Sequence, residues 1–194
     1  MFVLWLALSY LSGALPWAVW LGGLFFDVDP RQQPDGNPGA ANAFRAAGWP
    51  LGLGVLLLDF FKAFLPVLVA YYGLRFPEPQ MFWVALMPTL GHAFSVFLRF
   101  RGGRALVTLF GVWSGLTLYR APLVMGAAAV ASLFLFKRDA RRTLAIPLVL
   151  LLYLLVRGAA GWMVALAVAQ LLILLVKLGA FGFVLAWWRK PSVP

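Results

Sequence analysis

An all-α, polytopic membrane bundle is the fold this sequence predicts, and three observations predict it. Apolar stretches fill almost the whole chain: 63% of its 194 residues are hydrophobic, the mean hydropathy is +0.91 and only 11% are charged. A soluble domain carries about 25% charged residues. Nine Trp, five Tyr and seventeen Phe suit interfacial belts and lipid-facing surfaces. Basic residues gather on alternate connections between the apolar stretches, as membrane topology requires.

Seven apolar stretches follow in order: Phe2–Phe26, Trp49–Leu74, Met81–Leu98, Ala105–Tyr119, Ala121–Phe136, Thr143–Val156 and Gly161–Trp188. The first reads as a retained span rather than a secretory signal, because no Lys or Arg precedes Arg31 to form a basic leader. The first, second and seventh exceed the roughly 20 residues a spanning helix needs. The fourth and fifth are shorter, and Arg120 alone separates them. The sixth reaches only about 21 Å at about 1.5 Å per residue, which snorkelling of Arg142 and Arg157 would help to close. Seven spans in a single domain, residues 1–194, is the expectation, with six as its rival. Between them lie two polar loops, at about 27–48 and 99–104. The Pro and Gly content of the first argues for an ordered loop rather than a helix.

Under seven spans, one side receives Arg31, Arg45, Arg99, Arg101, Arg104, Lys137, Arg138, Arg141, Arg142, Arg189 and Lys190. The other receives only Arg75, Arg120 and Arg157. That asymmetry puts the N-terminus outside, the C-terminus in the cytoplasm and both polar loops on the cytoplasmic face. It also accounts for the net charge of +10 without a nucleic-acid partner. Cysteine is absent, which excludes disulfides and thiolate chemistry.

Polar groups of this density in a lipid-embedded chain are expensive unless they serve a site. Gly36 and Gly39, with Asn37, Asn42 and Arg45, have the makings of an anion-binding nest with a forked cationic donor. An ordinary inter-helix loop with one headgroup arginine fits the composition equally well. Asp35 cuts against phosphate unless it is tied down by Arg31, Arg45 or a helix N-terminus. Arg101-Gly102-Gly103-Arg104 is a second possible clamp; a positive-inside anchor is its plainer reading, although an anchor needs no double glycine. Asp59 and Lys62 share one helical face, as a neutralising pair or as an orienting acid and its lysine. His92, the one histidine, is either a hydrogen-bonded interfacial residue or a substrate ligand or general base. No His/Cys/Asp/Glu cluster accompanies it, so neither a metal nor a cofactor is expected. The serines lack a nucleophile-elbow context, so an acyl-serine route has no support. Lys177, with Gln170 seven residues earlier on the same face, is expected to face the bundle interior.

Taken together, these motifs resemble the bacterial membrane acyl-phosphate:glycerol-3-phosphate acyltransferases, the PlsY family. Tyr10-Leu11 and Gly13-Ala14-Leu15-Pro16-Trp17 match that family's first element. Gly36-Asn37-Pro38-Gly39-Ala40-Ala41-Asn42 with Arg45 is similar to its Gly-Asn-Ile-Gly-Ala-Thr-Asn loop and arginine. Leu58-Asp59-Phe60-Phe61-Lys62 resembles its Leu-Asp-x-x-Lys element. Gly91-His92 running to Thr108 resembles its Gly-His segment and Lys-Gly-Gly-Lys-Gly turn. The likeness covers roughly residues 10–108, in order and at matching spacing. Asp35 stands where the family has Ser, Ala41 where it has Thr, and Arg101 and Arg104 where it has lysines. The family's C-terminal His/Asn/Arg-Leu element has no counterpart here.

The resemblance implies acyl transfer from an acyl phosphate to the 1-hydroxyl of glycerol 3-phosphate, giving lysophosphatidic acid in phospholipid synthesis at the bacterial inner membrane. It implies direct attack without an acyl-enzyme. It assigns catalysis to Lys62, His92 and Asn42. Substrate and phosphate binding falls to Asp35, Gly36, Asn37, Gly39, Arg45, Arg101, Gly102, Gly103 and Arg104, with Asp59 orienting. Partners are then the two substrates and membrane lipids. A non-catalytic or re-specialised lipid- or phosphate-binding relative is the alternative that the departures leave open.

The charge asymmetry yields a direct test. Single cysteines at Asn37, Gly103 and Arg189 are expected to resist an impermeant thiol reagent added to intact cells, and one at Glu78 to react. Labelling of position 37 from outside would reverse the orientation.

Overall fold

The computed structural model describes residues 1–137 and 139–179, and every regular element among them is helical. The helices are α1 (Phe2–Ala14), α2 (Trp17–Phe25), α3 (Ala40–Leu68), α4 (Glu78–Ala93), α5 (Leu106–Thr117), α6 (Arg120–Leu135), α7 (Asp139–Val156) and α8 (Gly161–Lys177). Each apolar stretch of the sequence therefore corresponds to a helix or a helix pair. Ala40–Gly73 and Glu78–Leu98 are long and apolar enough to cross a bilayer, and the α1–α2 pair passes the same test together. Arg138, Arg189, Lys190 and the end of the seventh stretch lie outside the described residues.

Three expectations are corrected. The first stretch is not one helix: α1 and α2 meet at a 45° bend. Pro16 has no N–H to donate back to Ser12, so the helical ladder stops there. The first loop is also shorter than expected, since α3 begins at Ala40 rather than beyond Gly48. Ala40–Ala47 is alanine-rich and helix-prone, and its angle to the rest of α3 comes from non-helical backbone at Ala47 and Gly48 (φ +70°). Asn42 and Arg45 are thus helical residues. The sixth stretch gains a turn, because α7 starts at Asp139 and runs 18 residues. Arg142 sits in that added turn and reaches back to the Phe136 carbonyl at 2.7 Å.

Helix packing is tightest for α3 on α5 and α1 on α4. Glycine makes both crossings possible. A Cβ on Gly91 would overlap the Tyr10 carbonyl oxygen, and one on Gly111 would overlap that of Phe60. Association of helices in lipid depends on such close backbone approach, because lipid tails are as apolar as leucine. The core centres on the buried Trp113. Its indole N–H donates to Gln170 Oε1 at 2.8 Å, and Gln170 Nε2 donates to Thr89 Oγ1 at 3.0 Å. One polar chain so ties α5, α8 and α4 together inside apolar surroundings. Gln170 faces the interior, as the sequence suggests.

Gly91→Ala overpacks the α1–α4 crossing and should destabilise the protein by about 1–3 kcal/mol. Gly126, with nothing within 4 Å of its would-be Cβ, should gain up to about 1 kcal/mol on substitution by Ala. Thermal midpoints in detergent check both, and equal midpoints for Gly91→Ala and the parent would refute the close crossing.

Candidate active site

The bend at Pro16 creates the floor of the site. Because the helix stops there, the carbonyls of Ala14 and Leu15 lose their helical donors. Side chains from elsewhere replace them: Ser95 Oγ donates to Ala14 O at 2.5 Å and Lys62 Nζ to Leu15 O at 2.8 Å. Pro66 also frees a carbonyl, although α3 runs on past it to Leu68. It cannot donate to the Lys62 carbonyl, which accepts instead from Ser12 Oγ at 2.6 Å.

Around this floor lies a small open cleft. Asp59, Lys62, His92, Ser95, Pro38 and Gly103 are among its lining residues. Lys62 Nζ lies 2.6 Å from Asp59 Oδ1, both side chains being only 3% exposed. His92 Nδ1 stands 3.8 Å from the same carboxylate oxygen. Asp59 therefore sits between the cation and the imidazole. The double glycine of the 101–104 turn is required for space, not for a left-handed backbone. A Cβ on Gly102 would overlap the His92 carbonyl oxygen, and one on Gly103 would strike the imidazole Nε2. The turn is pinned by the Gly103 N–H, which donates to His92 O at 3.0 Å.

A second polar layer lies beside this cleft. Asp35 Oδ1 accepts from Asn42 Nδ2 at 2.5 Å and from the Asn37 N–H at 3.2 Å. Asp35 Oδ2 pairs with Arg104 Nη2 at 3.0 Å. Asn37 Oδ1 accepts from the Arg104 N–H at 3.1 Å. Fully buried Asn42 is the hub of this layer: it also donates to Asn37 O at 2.9 Å and accepts from Arg45 Nη1 at 2.6 Å. The preceding turn is made by Gly36 at φ +63°, where only glycine is unstrained. Asp35 is thus held; of the partners expected, Arg45 acts through its charge and Asn42, and the direct ion pair comes from elsewhere. Arg31 is engaged with Asp29 at 2.7 Å, and Arg104, from the other loop, takes its place.

The candidate residues accordingly separate. Lys62, His92, Asp59 and Gly103 line the cleft; Asn37, Asn42, Asp35 and Arg104 form the adjoining layer. Gly39 caps α3 and packs on the Asn37 amide, and Gly102 backs His92. Arg45 lies at the rim, with Asp139 Oδ2 3.9 Å from Nη2. Arg101 is exposed and stands apart. Ser95 and the Leu15 carbonyl went unforeseen. Pro16 was the available signal for the carbonyl; nothing local marks Ser95. Among the described residues no three His, Cys, Asp or Glu side chains gather as a metal set would.

Asp35 lies in the loop, outside the spanning helices. Burial opposes its ionisation, but the hydrogen bonds from Asn42 and Asn37 and the charges of Arg104 and Arg45 outweigh this and lower its pKa from 3.8. A carboxyl depressed in the folded state stabilises the protein above its unfolded pKa, and loses that contribution as pH falls through the folded value. The tie should therefore be fully present above about pH 5 and fade below pH 3.8. Thermal midpoints followed downward in pH should fall less steeply for Asp35→Asn than for the parent; parallel curves would refute the tie.

Comparison with known proteins bears on the family and the fold. The family model for glycerol-3-phosphate acyltransferase matches residues 3–192. Glycerol-3-phosphate acyltransferase 1 of Thermotoga maritima is 39% identical over 122 residues, covering 62% of this chain and 60% of that protein. The glycerol-3-phosphate acyltransferase of Trichlorobacter lovleyi is 43% identical over 127 residues, covering 65% and 62%. Each match spans less than two thirds of the relative's length. The fold is similar to a crystal structure of PlsY (YgiH), an integral membrane glycerol 3-phosphate acyltransferase, in its glycerol 3-phosphate form. The TM-score is 0.85 at 23% identity, over 100% of this chain and 96% of that one. The chain is a multi-pass membrane protein, and it belongs to the glycerol-3-phosphate acyltransferase family.

Proposed function

We propose that this protein transfers an acyl group from an acyl phosphate to the 1-hydroxyl of glycerol 3-phosphate, yielding lysophosphatidic acid and phosphate for phospholipid synthesis. Family membership supports the reaction. One observation carries it to these residues: a buried lysine, an imidazole and a pinned glycine turn meet in one cleft, beside an Asn/Arg layer. The charge asymmetry supports seven spans, an outside N-terminus and a cleft that opens to the cytoplasm from a bacterial inner membrane.

In this reading the substrate hydroxyl attacks the acyl carbonyl carbon directly. The new C–O ester bond forms as the bond to the phosphate oxygen breaks, phosphate leaves with that electron pair, and the hydroxyl proton is released. No side chain is acylated. Rate acceleration comes from orientation and from cations that meet developing negative charge. Lys62 serves the reacting centre, with Asp59 orienting it. His92 binds substrate or accepts the hydroxyl proton. Arg104, Arg45 and the Asn37–Gly39 backbone receive phosphate, Asn42 holds Asp35 and Arg45 in place, and Arg101 attracts anionic substrate from outside the cleft.

Asp35 acts here as a built-in counter-ion. With no substrate it occupies Arg104, and phosphate must displace it. The test is purified protein with acyl phosphate and glycerol 3-phosphate, scored for phosphate release and lysophosphatidic acid. Asp35→Ser, which frees Arg104, should preserve turnover or raise it and lower KM for glycerol 3-phosphate. Arg45→Ala should lower kcat/KM by about 100-fold or more. Absence of both products from the parent protein would overturn the reading, and loss of all activity in folded Asp35→Ser would give the carboxylate a catalytic duty.

A further inference from the structure

Lys177 is a cation in an apolar helix that the proposed chemistry does not use. Its side chain is turned inward. Nζ lies 2.9 Å from the Ala93 carbonyl oxygen and 5.4 Å from the centroid of the Phe94 ring. Ala93 ends α4, where the last carbonyls of a helix have no partner within it.

Its neighbours are completed from elsewhere too. His92 O accepts from the Gly103 N–H at 3.0 Å, and Phe94 O from the Tyr10 hydroxyl at 2.8 Å. Three consecutive carbonyls are therefore capped by three separate parts of the chain: the glycine turn, α8 and α1. A cation at this end of a helix is favoured further by the helix dipole, and an ammonium over an aromatic face adds attraction. His92 belongs to the same turn, with its ring confined between Gly103 and Asp59.

We infer that Lys177 is a positioning residue: by capping Ala93 it fixes the last turn of α4, and with it the His92 imidazole in the cleft. The kinetic consequence rests on the acyl-transfer reading above; the structural consequence does not.

The single histidine of the chain makes the test specific, because an isotope-labelled imidazole reports position 92 alone. In folded, monodisperse Lys177→Met the ring resonance should shift, and kcat should fall about tenfold while KM for glycerol 3-phosphate stays within about twofold. Lys177→Arg, which keeps a cationic donor, should return both towards the parent. Lys137→Met, at an exposed lysine, should move neither. An unmoved imidazole resonance in folded Lys177→Met overturns the inference, whatever happens to turnover. If Lys177→Met does not fold, Lys177→Gln carries the same criterion. If the parent protein makes no lysophosphatidic acid, the proposed reaction fails and the resonance alone decides the role of Lys177.

Discussion

The site depends on holding one ion pair away from water. Asp59 and Lys62 lie 2.6 Å apart with side chains 3% exposed. Removing two charges from water costs several kcal/mol per ion, and their attraction offsets it only when the remaining donors and acceptors are also satisfied. Here that satisfaction comes from carbonyls that two prolines leave without a helical donor. Pro16 frees the Leu15 carbonyl for the Lys62 ammonium, and Pro66 frees the Lys62 carbonyl for the Ser12 hydroxyl. The Leu15 carbonyl, freed at Pro16, thus supplies the acceptor that makes the buried ammonium tolerable. Trp5 on the Pro66 carbonyl holds α1 against α3, and Ser95 on Ala14 ties α1 to the turn after α4.

Both polar layers share one design. Lys62 is matched by Asp59 and Arg104 by Asp35. Arg45 is matched more loosely, through Asn42 and the exposed Asp139. Neutrality of this kind lowers the cost of keeping cations among apolar helices.

Much of this was legible in the sequence, for reasons that particular residues show. Apolar runs are local properties, so the helical membrane fold is directly legible in them. Lys62 and Asp59 share a helical face by spacing alone. The first break has no clear sequence mark, because Phe2–Phe26 is uniformly apolar and a proline ends some helices and merely kinks others. The start of α3 is masked in the sequence because Pro34, Gly36, Asn37, Pro38 and Gly39 have loop character and the alanines after them carry no local start signal. The direct partner of Asp35 is hidden for a different reason: Arg31 and Arg45 are near in sequence, whereas Arg104 comes from a distant loop. Backbone acceptors such as Leu15 O have no sequence signature beyond the proline that frees them.

The last turn of α4 has a temporal consequence. Its caps come from α1, from the turn after Leu98 and from α8, so they are synthesised at widely separated times. Chains emerge from the ribosome N-terminal end first, and α1 to α5 are in hand long before Lys177 is made. Until α8 docks, the Ala93 carbonyl lacks its ammonium and Gln170 cannot bridge Trp113 to Thr89. The cleft therefore reaches its finished shape only after α8 is in place, and a half-made chain in the membrane carries the motifs of the site without its final geometry.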